Sequence, residues 1–560
     1  MKIMYRVIAS LLMGAAPLYA PAAPQHVPAP AAQAALARAE ALDKDKKTDE
    51  ALAAFYQAVE ADPDFLAPHD WLVQFREHLV REFYVETYLK DKQGAQDKQP
   101  AQDKQGAQDK QDSFVAHIKE MDKALDAKYE DWERRFPDSL GIQYGIALRL
   151  SSEESPKARP RLLKLAELDP SNAKIYSMLA ADARASGDQK SAQEYLHKAA
   201  TLEPGNPEYA YSYARSVAEP TERHAAIEDV IKRFPNTDTG ATALYWLGED
   251  EPGDAQRIAY FEQLRTQFPP EKFGMSAEGM SSLFEAYLRV DPSKAVKLAQ
   301  DMQSAKASAE WAGRVELAQA FVEAEKKLAA GNANEALALL DKLKPEHRSE
   351  NTAMIERLKA RVMAEAGQAQ GGYQALLTLQ AKEPDDETKV ALQTIGRQLH
   401  KTAAQVQSDI KAAVNAGAKP APAFDLQKYT SADTVSLAKL RGKVVLLTFW
   451  FPACGPCARE FPHFEAVMRQ FHHNKDVVYL GINVVRDQDV YVLPRIEKMG
   501  YSFTPLKGTD SVVKGAAGYG VKGEPTNFVI DRKGRIVYHH FMIDDTRGEL
   551  MVQRMIESAL

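Results

Sequence analysis

The chain has 560 residues, of which 45% are hydrophobic and 27% charged, and a formal net charge of −7. That length exceeds what one hydrophobic core serves, so two or more domains are expected. The composition is that of soluble globular protein, and a weakly acidic balance with no basic stripe argues against nucleic-acid binding.

Lys2 and Arg6 precede an apolar run from Val7 to Ala16, and Ala20-Pro21-Ala22 supplies a small-residue cleavage site. This pattern predicts a secretory signal peptide over residues 1–22, and hence a periplasmic or otherwise exported protein. An uncleaved anchor is the alternative, but a spanning helix needs about 20 apolar residues and this run is half that. No cysteine lies near the cleavage site, which excludes a lipoprotein, and no later stretch is apolar enough to cross a membrane. After signal cleavage, therefore, no membrane span is expected. Exported chains usually spend cysteines on structural disulfides. This one has only two, Cys454 and Cys457. A bond between them closes a tiny loop and removes little entropy from the unfolded chain, so a redox pair explains them better than a staple.

From residue 33 to about 413 helix formers dominate and strand-like runs are missing. Pro137, Pro170, Pro204, Pro235 and Pro269 punctuate this stretch in steps of 33, 34, 31 and 34 residues. A period near 34 marks tetratricopeptide (TPR) repeats, each a helix–turn–helix pair. One repeat runs from Ala173 to Asn206, with Tyr176, Leu179 and Ala180 on its first helix, Gly187 at the turn, and Ala192, Leu196 and Ala199 on its second. The pattern is plain over residues 139–206 and looser from 220 to 400, so TPR-like helices are expected at 33–90 and 113–413. Between them, residues 91–112 repeat Gln-Asp-Lys-Gln-(Gly/Pro)-Ala with no apolar residue larger than alanine, which predicts a disordered insertion.

The Pro/Ala/Gly-rich residues 414–423 read as a linker to a domain of different texture at 424–560. Strands are expected at Val444–Trp450, Val477–Val485, Phe528–Ile530 and Ile536–His540, with helices at Cys457–Phe471, Asp487–Met499 and from Thr546. Strands alternating with helices, then a hairpin, predict an α/β domain with a mixed sheet. The first strand feeds Cys454-Gly455-Pro456-Cys457, which opens a helix. There the free N–H groups and the helix dipole favour a Cys454 thiolate, and Cys457 is one turn on. Cys454 is expected to be the solvent-accessible member. A zinc half-site is the rival reading, but there is no second CxxC and no histidine pair with ligand spacing nearby.

Phe449-Trp450-Phe451-Pro452-Ala453-Cys454-Gly455-Pro456-Cys457 resembles the active-site segment of thioredoxin, and Gly523-Glu524-Pro525-Thr526-Asn527-Phe528-Val529-Ile530-Asp531 resembles the second hallmark of that fold. Glu460-Phe461-Pro462, the continuation Lys533–Val537 and the long stretch from Val485 to Thr504 are similar to the TlpA/ResA-like periplasmic branch. The resemblance covers about residues 420–560. It implies a cis Pro525 facing the cysteines, with Trp450, Glu524 and Pro525 at the substrate face. It also implies a proton-transfer role for Glu460 toward Cys457, a solvated helix carboxylate being the alternative. Two departures stand out. Ala453 replaces the aromatic residue common before the first cysteine, and Thr448 stands where cytosolic thioredoxins carry a buried aspartate. A peroxiredoxin reading fails because its Thr-x2-Cys spacing is missing.

The expected architecture is therefore an all-α TPR-like solenoid followed by an α/β thioredoxin-fold domain. The expected activity is thiol–disulfide exchange through a Cys454–Cys457 redox disulfide, with no cofactor and no metal. Its partners would be protein thiol or disulfide substrates, an external dithiol donor and a protein on the TPR-like surface. The alternative is a TPR interaction scaffold whose redox domain is secondary.

Overall fold

The computed structural model describes residues 26–84, 101–305, 309–343, 350–515, 517–543 and 546–560. The signal-peptide expectation lies outside them. The chain divides into two compact units, Met1–Val217 with Val485–Met499, and Ala218–Val484 with Gly500–Leu560. Among the described residues, no helix is long and apolar enough to cross a membrane.

The first unit is helical. Its pairs form where the periodicity places them, as in Ala173–Ala185 with Gln189–Leu202. All five periodic prolines of the chain stand two residues beyond a helix end, at Arg135, Leu168, Leu202, Arg233 and Gln267. A proline there bars further helix and pushes the residue before it out of helical geometry. The turn of the Ala173–Asn206 repeat closes differently. Gly187 adopts φ +76°, its N–H donates to Arg184 O at 3.0 Å, and Asp188 N–H donates to Ala183 O at 2.8 Å. This is a Schellman ending, which satisfies carbonyls the helix leaves open. The Asp188 carboxylate then caps the next helix by accepting from Ser191 N–H at 3.1 Å. Inward residues Leu162, Leu165, Tyr176, Leu179 and Ala199 share one apolar cluster.

Helix Asp489–Met499 packs within this first unit rather than with the domain that the sequence assigns it to. Tyr491 donates to Asp182, and Lys498 pairs with Asp188 at 3.0 Å. A Cβ on Gly187 would come within 2.9 Å of Arg495 Cα. Gly187→Ala therefore meets both a left-handed backbone, disfavoured by about 1–2 kcal/mol for an L-residue, and a backbone clash. A thermal midpoint several degrees lower is expected, while Gly205→Ala, with open space around it, should melt like the parent.

Two sequence expectations are corrected. Residues 91–100 lie outside the described residues, but 101–112 belong to the helix Ala101–Arg135 rather than to a disordered insertion. Ala, Gln and Lys are good helix formers, and extending a helix nucleated further along adds one hydrogen bond per residue fixed. Nor is 414–423 a free linker. Residues 414–417 finish helix Ala403–Gly417, and Lys419–Pro420 form an edge strand, the place where a sheet tolerates proline.

The second unit begins with further helices, from Pro220–Arg233 to Ala403–Gly417, and ends in the sheet domain. Its strands are β1 (Lys419–Pro420), β2 (Asp425–Gln427), β3 (Thr434–Ser436), β4 (Val444–Trp450), β5 (Val477–Asn483), β6 (Thr504–Lys507), β7 (Thr526–Ile530) and β8 (Arg535–Phe541). Six form one sheet in the order β1-β8-β7-β4-β5-β6, and β2 and β3 pair separately. Central β4 runs parallel to β5 and antiparallel to β7. All seven of its residues are buried, which is why it reads as a continuous apolar run rather than an alternation. Helices Gly455–Gln470 and Thr546–Ala559 pack on each other, and His463 Nδ1 lies 2.7 Å from Glu549 Oε1 between them.

Candidate redox site

β4 ends at Trp450, and four residues later Cys454 becomes the N-cap of helix Gly455–Gln470. Gly455 and Pro456 fill the first two helical positions, where a missing proline N–H breaks no helical bond. Cys454 and Cys457 form a disulfide with their Cα atoms 5.3 Å apart. Cys457 N–H donates to Cys454 Sγ at 3.2 Å, and the same bond would stabilise a thiolate after reduction. The expectation of a solvent-accessible Cys454 is corrected for this disulfide form. Cys454 is 3% exposed and Cys457 1%, while Gly455 between them is exposed.

The Glu524–Pro525 bond is cis, as the resemblance implied. Thr526 opens β7 opposite Phe449 in β4, so the antiparallel register brings the loop of Glu524 and Pro525 to the end of β4 that leads into Cys454. Thr526 Oγ1 donates to Gly523 O at 2.5 Å and tightens this loop.

Trp450 is not at a substrate face. It is fully buried, edge-on to Phe461 at 5.4 Å and to Phe503 at 5.2 Å. Gly481 on β5 makes the room: a Cβ there would fall 2.5 Å from the Phe503 ring and 2.9 Å from Trp450 Nε1. Residue 450 continues the buried face of a strand covered on both sides, and its order next to the CxxC does not reveal that.

Glu460 is 2% exposed, which removes the solvated-carboxylate alternative. Its Oε2 accepts from Asn527 Nδ2 at 2.9 Å and its Oε1 from Ile543 N–H at 3.0 Å. On the neighbouring strand, burial pushes the Tyr479 phenol well up, with Glu465 and then Glu460 adding to the shift. Burial also raises the Glu465 carboxyl, against a bond from Ser502 N–H at 2.8 Å. Thr448, buried in β4, faces Asn527 in the β4–β7 register.

Two neighbours escaped the sequence reading. Asn527 is one, and its signal was a lone amide in an otherwise apolar strand end. Trp246 is the other: it lies on helix Asp238–Glu249 of the same unit, and the Arg459 guanidinium sits 4.7 Å from its ring centroid. That pairing joins residues more than 200 positions apart, and no local pattern announces it.

The family described as Redoxin matches residues 416–552. Among curated proteins, the chain is 33% identical over 117 residues to the thiol-disulfide oxidoreductase ResA of Bacillus subtilis, covering 21% of this chain and 63% of that protein. It is 30% identical over 125 residues to ResA of Halalkalibacterium halodurans, covering 22% and 65%. Against the thiol:disulfide interchange protein DsbE of Xylella fastidiosa it is 33% identical over 143 residues, covering 25% and 66%. The chain thus spans a little under two thirds of the length of these relatives. With the helix-capping disulfide, the cis-proline loop and the six-stranded sheet, these matches place a Redoxin domain of the thioredoxin fold at the C-terminal end of this chain, behind a long helical region.

Proposed function

We propose that the protein is an exported thiol–disulfide oxidoreductase acting on protein substrates. The observation that carries the reading is a cysteine pair closed across the first turn of a helix, with a backbone N–H already on Cys454 Sγ. In the reducing direction, the Cys454 thiolate attacks one sulfur of a substrate disulfide. One substrate thiolate leaves and a Cys454–substrate mixed disulfide forms. Cys457, giving up its proton, then attacks Cys454 Sγ. The second substrate thiolate leaves, the Cys454–Cys457 disulfide closes, and the substrate has gained two electrons. An external dithiol resets the pair by the same exchange, and the opposite direction uses the same steps reversed.

The loop of Glu524 and Pro525 is the proposed docking edge, where an extended substrate segment can pair with backbone. The helical repeats are proposed to recruit a protein partner and raise its effective concentration at Cys454. Glu460 is the proposed proton acceptor for Cys457. Support for export comes from the sequence of residues 1–22 alone.

The test is turnover of a protein disulfide by the full-length chain with a dithiol donor. Catalytic turnover is the expected result. A chain that binds partners but turns over no disulfide at any donor potential would favour the scaffold reading.

A further inference from the structure

Asn527 is fully buried at the start of β7, paired with Thr448 on one side and with Phe541 on the other. Its Nδ2 donates twice, to Glu460 Oε2 at 2.9 Å and to Phe541 O at 3.0 Å. Its Oδ1 is buried with no hydrogen-bond partner among the described residues. An amide can present either its NH2 or its oxygen to a neighbour, and the network around it decides which. Here the decision is made by Phe541 O, a backbone carbonyl that can only accept. Turning the amide would set Oδ1 against that carbonyl and against the carboxylate, acceptor facing acceptor, and lose both bonds. The strand pairing therefore locks the amide with its N–H groups toward Glu460. Ile543 N–H donates to the other carboxylate oxygen at 3.0 Å and is equally unable to accept. Donors on both oxygens suit a carboxylate and leave neither of these partners able to receive a proton from a carboxylic acid.

An apolar side chain at 527 would avoid burying an unpaired oxygen, but it would remove the donor to Glu460. Glu460 stands three residues after Cys457 on one helix, a spacing that puts the two on the same face. We infer that Asn527 is a positioning residue that, keyed by the Phe541 carbonyl, holds Glu460 in its proton-accepting form for the resolving step at Cys457. The inference rests on the thiol–disulfide reading above and extends it to a residue that touches neither sulfur nor substrate. Of the other titratable groups, the Tyr479 phenol on β5 feels Glu460, together with Glu465 of the same helix and Tyr501 before β6, and the His463–Glu549 pair stands one turn further along that helix. The Tyr479 phenol is held protonated by burial and does not compete for the proton.

The experiment uses full-length protein carrying Asn527→Leu, with Asn527→Thr as a second, strand-compatible variant that cannot bridge both acceptors. Each is checked for folding by circular dichroism. The rate of mixed-disulfide resolution is followed against pH, and the Glu460 carboxyl band is titrated by infrared difference spectroscopy against Glu460→Gln. Loss of the donor should raise the midpoint of both curves by about one pH unit or more, which is about tenfold in resolution rate on the acid limb. In a Glu460→Gln background, Asn527→Leu should produce no further shift in the rate profile. Unchanged midpoints in folded variants, or the same shift without Glu460, would overturn the inference. The infrared titration needs no turnover, so it still decides the role of Asn527 if the parent protein proves inactive, a result that would sink the oxidoreductase reading alone.

Discussion

Cys454→Ser should lose disulfide exchange by several orders of magnitude, whereas Cys457→Ser should still make the first attack and stop at a mixed disulfide. The asymmetry follows from position. Cys454 is the helix N-cap, and its sulfur accepts the Cys457 N–H at 3.2 Å. Cys457 lies inside the first turn and is 1% exposed. A thiolate at a helix terminus is stabilised by the free N–H groups and the dipole, and the thiolate is the nucleophile. Burial acts the other way, since it disfavours the charged form of a thiol. After reduction, the N–H donor on Sγ would favour the Cys454 thiolate, and Gly455 next to it is exposed, which is the basis of the expected asymmetry. Intact mass spectrometry after mixing each variant with a disulfide substrate reads the result. A stable adduct mapped to Cys454 in the Cys457→Ser protein is expected, and none in Cys454→Ser. Adducts accumulating on Cys457 instead would reverse the roles.

Glu460→Gln is expected to act on both stability and pH dependence. The carboxylate accepts from two buried donors, Asn527 Nδ2 and Ile543 N–H. A glutamine can accept from one and must turn an N–H toward the other. One buried donor then goes unpaired, at about 1–3 kcal/mol. Thermal unfolding should show that loss, and Glu460→Leu, which orphans both donors, should lose more. Glu460→Gln also removes the proposed proton acceptor for Cys457, three residues on along the same helix, so the pH profile of mixed-disulfide resolution should lose a limb while the rate of the initial attack by Cys454 changes little. A profile identical to the parent's, in a protein that has lost stability, would make Glu460 a purely structural carboxylate.

Much of the redox domain could be read without coordinates. The run Val444–Trp450 is a strand over those same residues, the helix begins at Gly455 between the cysteines, and the expected cis proline is at 525. The two-residue offset of each periodic proline from a helix end shows why the 34-residue period was visible. Short edge elements were not legible. Strand β6 has four residues, Thr-Pro-Leu-Lys, with no run of β-formers, and it exists because Leu480 to Asn483 of β5 offer it a parallel edge. The hairpin of β2 and β3 was missed for the same reason of length, at three residues a strand.

Local rules act over one turn or one strand, so the sequence by itself determined the redox pair, the strand–turn–helix that carries it, and the helical pairs before it. What a side chain meets across 50 or 300 positions belongs to the tertiary structure. Only packing decided that Trp450 goes to the core, against a Phe503 admitted by Gly481. Only packing brought Asn527 and Ile543 onto the Glu460 carboxylate, and set helix Asp489–Met499 among the helices of the first unit. The physical reason is that backbone hydrogen bonds and dihedral preferences are written within a few residues. Burial and the orientation of a buried amide depend on neighbours that become neighbours only once the chain has folded.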